Sequence, residues 1–576
     1  MFEVHFSLPQ TISNSLLNFF SLAVHYHSNQ STCSATLLIT YNNSNDNNYT
    51  FRPNKKLILN LMLTIIQIKK MNSRLLNNFY AILLLLLLLS LFIDQSYQAQ
   101  VKPVRLLGEN PKNRIPNNIT RSFCQYPGAN SFKLGEFYKL PSLVTPNKYR
   151  LRFRINSRRE KLFGHSMITV HIHNQTNMIE LNAVKLVVNG AFFQTKNIRG
   201  KFNQFVFFLF CLLLLYILSV NVSTVYNCPE KETIVLHFYK PLHKGIGNLT
   251  ITFSGNLTEM IHSGFVKANK DEKFVMTDFG PTDARRNFPC WDEPRFKAQF
   301  EIYLIIPQNN YAIFNLPSIR RRPYSIELEE VRFETTPLFS TFQLATLFGS
   351  KFQITSNKPK MNNTLNEILV QIYSPISHNT DEWLYALETS EKLFNFYQYY
   401  FDKKYPLKKL DLVALNNYEQ TSMEKLGLII FEEKQLLIIN RTDASEEEFN
   451  SVAQILAHSL AHQWVGNLVI FQEWNEFWLF EALALFMEKE ALASLFPHWR
   501  TWERFASDEF RRALLTDSSR YSIPLEKMIK RPNDILQLYP SENRYFKVVA
   551  LFRMLRSSIG EEVKLLFYKI TNASYC

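Results

Sequence analysis

Between residues 149 and 253 the chain repeats one pattern: an apolar residue, then a polar one. In YRLRFRI (149–155), Tyr149, Leu151, Phe153 and Ile155 alternate with three arginines. MITVHIH (167–173), TIVLHFY (233–239) and NLTITF (248–253) continue it. Successive side chains of an extended chain point to opposite faces, so this period predicts strands with one face buried. His171 and His173 then fall on the solvent face. After residue 356 the period lengthens. In TDEWLYALETSEKLFNFYQYYF (380–401), Trp383, Leu387, Phe394, Tyr397 and Phe401 recur at helical spacing, with Thr380 as the expected N-cap. Helical sequence follows over 446–494 and near 545–556. The pattern predicts a multidomain chain: a strand-rich antiparallel domain over 100–355, then an α/β or mostly helical one over 356–576. With 576 residues, 46% of them hydrophobic, the chain can build two cores, and global disorder is excluded.

MNSRLLNNFYAILLLLLLLSLFIDQSYQAQ (71–100) reads as a secretory leader. Arg74 supplies the charged start, Phe79–Ile93 the apolar run, and Ala99 the residue before the cut. A membrane span needs ~20 residues. The 71–99 segment is therefore expected to be a signal peptide, with a signal anchor as the alternative. The expected location is secreted, or the extracellular face of the plasma membrane, where an anchor would bring membrane association. Residues 1–70 precede the expected start at Met71 and are left unassigned, as untranslated upstream sequence. N-x-S/T sites follow at Asn118, Asn174, Asn221, Asn248, Asn256, Asn362, Asn440 and Asn572. FVFFLFCLLLLYILSV (205–220) sits in a stretch with no charge between Lys201 and Glu230. Strand-like sequence flanks it, and a span would split one sheet across a membrane. Residues 201–227 are expected to be an anomalous apolar insertion, such as a translated intron.

None of the six cysteines forms a C-x-x-C pair, which argues against a cysteine-ligated zinc site. A Cys124–Cys228 disulfide cannot be read from spacing. Net charge is 64 − 50 = +14. The basic residues are scattered, grouping only at Lys69-Lys70 and at Arg320-Arg321-Arg322 in a loop-like stretch. A generally basic surface is expected, with no nucleic-acid partner.

FNSVAQILAHSLAHQWVGNL (449–468) has the pattern of a buried helix. His458 and His462 stand four apart, on one helix face, and can converge on one metal. Such a pair alone is weak evidence, because zinc needs a third protein ligand and catalysis an open position. WNEFWLFEALALFMEKEALA (474–493) offers Glu481, a carboxylate in an apolar helix that is expensive to bury without a partner. Without a metal, Glu481 would face solvent at the helix edge.

These residues resemble the aminopeptidase N family of zinc metallopeptidases. Its H-E-x-x-H motif, followed after 18 residues by a glutamate in W-L-N-E-G-F-A, corresponds to HSLAH and WLFEALA, since 481 − 462 = 19. FGPTDARRNFPCWDEPRFKAQFEI (279–302) is similar to a long family signature. SMEKLGLIIFEE (422–433) matches the G-A-M-E-N segment, and RYFKVVALFRML (544–555) the segment with the catalytic tyrosine. The resemblance implies a β-sandwich or saddle domain, then a thermolysin-like α/β catalytic domain, incomplete at its C-terminus. It implies one zinc ion held by His458, His462 and Glu481. Tyr545 would bind the oxyanion. Glu424, beside Met423 and Asp278, would hold the free ammonium of a peptide N-terminus.

The sequence departs from the family at the catalytic base. Ser459 stands where the family has the general-base glutamate, and a hydroxyl is too weak a base near neutral pH. General acid–base catalysis contributes ~10²–10⁴-fold, so a loss of that order is expected. Thr421, Ala482 and Val548 replace small family residues, Asp278 and Gly280 stand at substrate-contacting positions, and Lys425 is expected to set a cation beside Glu424. Three functions follow: a weak or inactive zinc aminopeptidase homologue, an active one with an unusual base, or a non-enzymatic surface binding protein. The first is preferred because the ligands are retained and the base is not.

Overall fold

The computed structural model describes residues 139–156, 161–195, 219–256, 264–267, 274–349, 352–356, 368–520, a few positions between 522 and 535, and 542–560, with the backbone of three strands further upstream. The expected leader (71–99), Cys124, and residues 201–218 and 561–576 lie outside the described residues. The chain divides into two compact units, Met1–Gln100 and Val101–Cys576. In the first, strands Phe20–Asn29 and Thr32–Tyr41 pair antiparallel. No helix among the described residues is long and apolar enough to cross a membrane.

In the second unit the alternating segments build an open eleven-stranded sheet. Its order is Ser318–Pro323, Leu328–Phe333, Gln299–Pro307, Val144–Asn156, Lys161–Ile172, Gly245–Asn256, Val187–Thr195, Ser219–Cys228, Thr233–Leu242, Thr176–Asn182, with Leu106–Leu107 beside Ser219–Cys228. Pairing is mostly antiparallel, but Val144–Asn156 runs parallel to Gln299–Pro307. Tyr149, Leu151, Phe153 and Ile155 are buried as the alternation requires, and Tyr149 stacks on Phe300 at 4.7 Å.

Two expectations change here. Arg320, Arg321 and Arg322 lie on an edge strand rather than in a loop, because their backbone pairs with Leu328–Phe333 in a hairpin. Residues 219–227 belong to a strand paired on both sides, so that part of the expected insertion is integral to the sheet. Cys228 ends this strand and is disulfide-bonded.

A five-stranded sheet opens the second half, in the order Gln353–Ser356, Leu369–Ser374, Lys409–Leu415, Leu428–Glu432, Ser422–Lys425. Its central strands are parallel, and Lys409–Leu415 is buried on both faces as a parallel interior strand should be. Ser422–Lys425 forms one edge. Five helices matter here: α1 (Leu384–Tyr400), α2 (Glu446–Ala461), α3 (Phe477–Leu495), α4 (Phe510–Asp517) and α5 (Glu542–Ile559). Thr380 does not cap α1; extended Asn379 holds the N-cap position of a 3-10 turn, Thr380–Trp383, that leads into it. Ser445 caps α2: its hydroxyl accepts from the Glu448 amide (3.2 Å), and the Glu448 carboxylate accepts from the Ser445 amide (2.7 Å). Helix α3 is buried on most sides, consistent with apolar residues around its whole circumference.

Candidate metal and substrate site

His458 lies in the last turn of α2, and His462 is the residue at which that helix ends. The chain then turns through Gly466, at φ +92, where a Cβ would crowd the His462 ring at 3.3 Å. The His462 Nδ1–H donates to the Val465 carbonyl (3.0 Å), which leaves the Nε2 lone pair free to ligate. The two Nε2 atoms face each other at 3.2 Å. Two imidazole nitrogens on one tetrahedral zinc, each ~2.0–2.1 Å from it, stand ~3.3 Å apart. Glu481, in the second turn of α3, brings a carboxylate oxygen to 3.6 Å from His462 Nε2. The ligand atoms of His458, His462 and Glu481 all lie within 4.8 Å of one another. Donor types and spacing fit a zinc ion.

A second carboxylate backs this set. Glu488, two helical turns beyond Glu481, sits 3.5 Å from His458 Nδ1. Lys489 Nζ lies 2.8 Å from Glu488 and donates to Glu509 (2.7 Å). Burial pushes the Glu488 carboxyl up, but Lys489 and His458 hold it below the usual range. Burial pushes His458 down, yet Glu488, then Glu481 and Glu424, raise it to about 9. Burial also opposes the charge of Glu481, which His462, His458 and Lys425 restore. The sequence reading missed Glu488, Lys489 and Glu509. The seven-residue spacing from Glu481 was the available signal for Glu488.

The edge strand Ser422–Lys425 alternates in burial, so its two faces part. Glu424 faces the site: its carboxylate accepts from Ser459 Oγ (3.3 Å) and from Ser422 Oγ. Met423, expected at the substrate, turns its side chain into a core cluster with Met276, Val413 and Ile430. Lys425 leaves the other face of the strand from Glu424, since neighbouring residues on a strand point oppositely, and its ammonium lies over the Phe342 ring at 4.3 Å, from where its charge still acts on Glu481. Asp278 ends the strand Val275–Asp278, and its side chain lies outside the described residues. Tyr545 is buried in the first turn of α5, which packs on α3.

Two amides just beyond the histidines clamp this edge strand. Gln463 Oε1 accepts from the Gly427 amide (2.9 Å) and the Tyr405 hydroxyl (2.9 Å), and its Nε2 donates to the Lys425 carbonyl (3.1 Å). Asn467 Oδ1 accepts from the Leu426 amide (3.1 Å), and its Nδ2 donates to the carbonyls of Glu424 (3.3 Å) and His462 (2.9 Å). The first domain joins in: Asn315 Nδ2 donates to the Leu426 carbonyl (2.8 Å) and Gln343 Nε2 to the Asn467 carbonyl (2.7 Å).

Comparison with known proteins agrees with this arrangement. Residues 145–343 match the Peptidase M1 N-terminal domain, and residues 385–569 the Peptidase family M1 domain. Aminopeptidase M1-D of Oryza sativa subsp. japonica is 31% identical over 429 residues, 74% of this chain and 45% of that protein. Aminopeptidase M1 of Arabidopsis thaliana is 32% identical over 445 residues, 76% and 47%. Aminopeptidase 2 of Candida albicans is 30% identical over 436 residues, 74% and 43%. The chain belongs to the aminopeptidase N family. It spans less than half the length of these relatives. Ser459, beside His458, is fully buried and donates its hydroxyl to Glu424.

Proposed function

We propose that the chain is a zinc aminopeptidase homologue that binds peptide N-termini and removes their first residue weakly or not at all. The observation that carries this reading is a convergent His458–His462–Glu481 set with a serine hydroxyl, not a carboxylate, next to His458. One zinc ion, when bound, would polarise the scissile carbonyl and acidify a water. His462 presents Nε2 because Val465 fixes its Nδ1–H. The Glu488 carboxylate, 3.5 Å from His458 Nδ1, would draw the ring proton to that nitrogen and leave Nε2 for the metal. Glu424 would receive the substrate ammonium through a charge-assisted contact, which restricts binding to free chain ends. Tyr545 would donate to the oxyanion. Ser459 cannot take a proton from water near neutral pH; it holds Glu424 instead. Secretion or display at the extracellular face is part of the proposal, supported by the 71–99 segment, the disulfide at Cys228, and exposed N-x-S/T asparagines at 174, 221, 256 and 440. A signal anchor in place of a cleaved leader would tie it to the membrane.

One observation favours a second reading. Glu424 is a carboxylate within hydrogen-bond reach of Ser459, so it could serve as the unusual base of an active enzyme. Release of N-terminal residues from a peptide panel by the chain and by Ser459→Glu, with zinc content measured in both, separates the two. Silence from the chain and a gain of ~10²-fold or more by Ser459→Glu supports the first reading. Equal turnover by both sinks it, and absence of zinc from both removes the metal site altogether.

A further inference from the structure

The basic residues that look scattered in the sequence converge on one face of the eleven-stranded sheet. Strand register brings them together. Arg150 lies opposite Glu301 and Arg152 opposite Tyr303. Tyr303 lies opposite Arg332, which in turn lies opposite Arg320, and Arg322 lies opposite Glu330. Positions paired in register share a face. Strand Val144–Asn156 contributes Lys148, Arg150, Arg152 and Arg154 to it, and its neighbours contribute Lys161, Arg320, Arg322 and Arg332. Among the described residues of these five strands, the only carboxylates on that face are Glu301 and Glu330. Eight cations against two anions leave 8 − 2 = +6.

The two carboxylates lie underneath. Glu301 takes Lys148 (3.2 Å), Arg150 (3.2 Å) and Arg332 (2.7 Å); Glu330 takes Arg152 (3.0 Å) and Arg322 (2.6 Å). Both are nearly inaccessible, at 2% and 3% exposure, while the four arginines above them are 40–48% exposed. A guanidinium has five donors, so a single inner contact fixes its plane and leaves outer N–H groups for a ligand. Arg154 and Arg320 make no ion pair among the described residues. Burial, then Arg152, lowers the pKa of His165, which lies opposite it, as a positive neighbourhood should.

We infer that this face binds a linear sulfated polysaccharide. Sulfate oxygens accept paired N–H bonds from arginine. The four cations of Val144–Asn156 repeat at ~7 Å along the strand, and Arg332 and Arg320 lie two and three strand spacings of ~4.8 Å from Arg152, so an extended polyanion meets several at once. A lipid surface fits less well, because the cations dominate the face and Arg154 lies over the exposed Phe163 ring at 4.7 Å. Single-stranded nucleic acid needs open aromatic platforms, and the Tyr303 ring already carries Arg152 and Arg332 at 5.4 and 5.6 Å.

The test is binding of the full chain to heparin, to poly-dT and to phosphatidylserine vesicles across a salt series. Arg154→Gln/Arg320→Gln is the probe, since neither change strands a buried carboxylate. Arg500→Gln/Arg512→Gln removes the same charge from the helical half. Heparin should bind at about 0.15 M salt, and the probe variant should weaken it about tenfold while the control stays within about twofold. Equal weakening by the control, equal binding of poly-dT or vesicles, or no heparin binding at that salt would each overturn the inference.

Discussion

Replacing Gln463 by methionine should loosen the strand that carries Glu424 without touching the metal ligands. The side chain is fully buried, and methionine keeps its length. Three hydrogen bonds disappear, at 2.9, 2.9 and 3.1 Å. They leave the Gly427 amide, the Lys425 carbonyl and the Tyr405 hydroxyl without that partner. A buried polar group left unpaired costs ~1–3 kcal/mol. The strand cannot shift to recover them, because Gly427 is pinned: its φ is +80, and its Cα is close enough to the Asn315 carbonyl that a Cβ would stand 2.4 Å away. The sum is roughly 3–9 kcal/mol, a large share of the ~5–15 kcal/mol that holds a domain folded. A chain of two domains need not unfold in one step, so hydrogen exchange at Gly427 and Leu426 is the assay of choice. Their protection should fall by ~10²-fold or more, while α1 amides stay protected. Unchanged protection at Gly427, or a loss under about 1 kcal/mol, would refute the clamp.

Glu488→Gln should weaken zinc binding by ~10–100-fold in a chelator competition, since it removes the anion that orients His458; an unchanged affinity would mean His458 orients itself. Acid should destabilise the large sheet through Glu301. Burial opposes its charge, but Tyr303, Lys148 and Arg150 lower its pKa from 4.5 to about 2. A lowered folded-state value gives stability that is present above the unfolded value and is lost as pH falls from 4.5 through about 2. The loss is at most ~3 kcal/mol. Glu301→Gln should flatten the stability curve in that window, and an undiminished slope would assign it to other groups.

The fold class was legible where the chain's own period set it. YRLRFRI and MITVHIH became strands because one side of each had to be buried, and the sheet took them in that register. The approach of His458 to His462 was legible because helical spacing converts sequence distance directly into proximity, whereas Glu481, on another helix, was placed by the family's spacing. Met423 and Lys425 were misjudged for one reason: a matched segment gives positions, but a strand sends adjacent side chains to opposite sides. Glu488 was hidden inside an apolar helix that offers no polar stripe to mark its inner face. The arginine face was invisible because Arg152 and Arg320 line up only through strand pairings across long stretches of chain, which no local pattern encodes.

The seam between the halves limits how the protein can be taken apart. Asn315, Phe342 and Gln343 belong to the first half, yet they hold Leu426, Lys425 and Asn467 of the second. A fragment starting at residue 356 would keep His458, His462 and Glu481 and lose part of the scaffold that positions the strand carrying Glu424. Chimeras that splice halves from two relatives would inherit mismatched walls unless residues 315 and 342–343 travelled with strand 422–427. The two halves differ in hydrophobic period yet share one core, where Met276 and Ile313 pack with Val413 and Ile430 and Lys409 reaches the Phe314 carbonyl, so recombination between them is constrained along the seam as well as at these polar contacts.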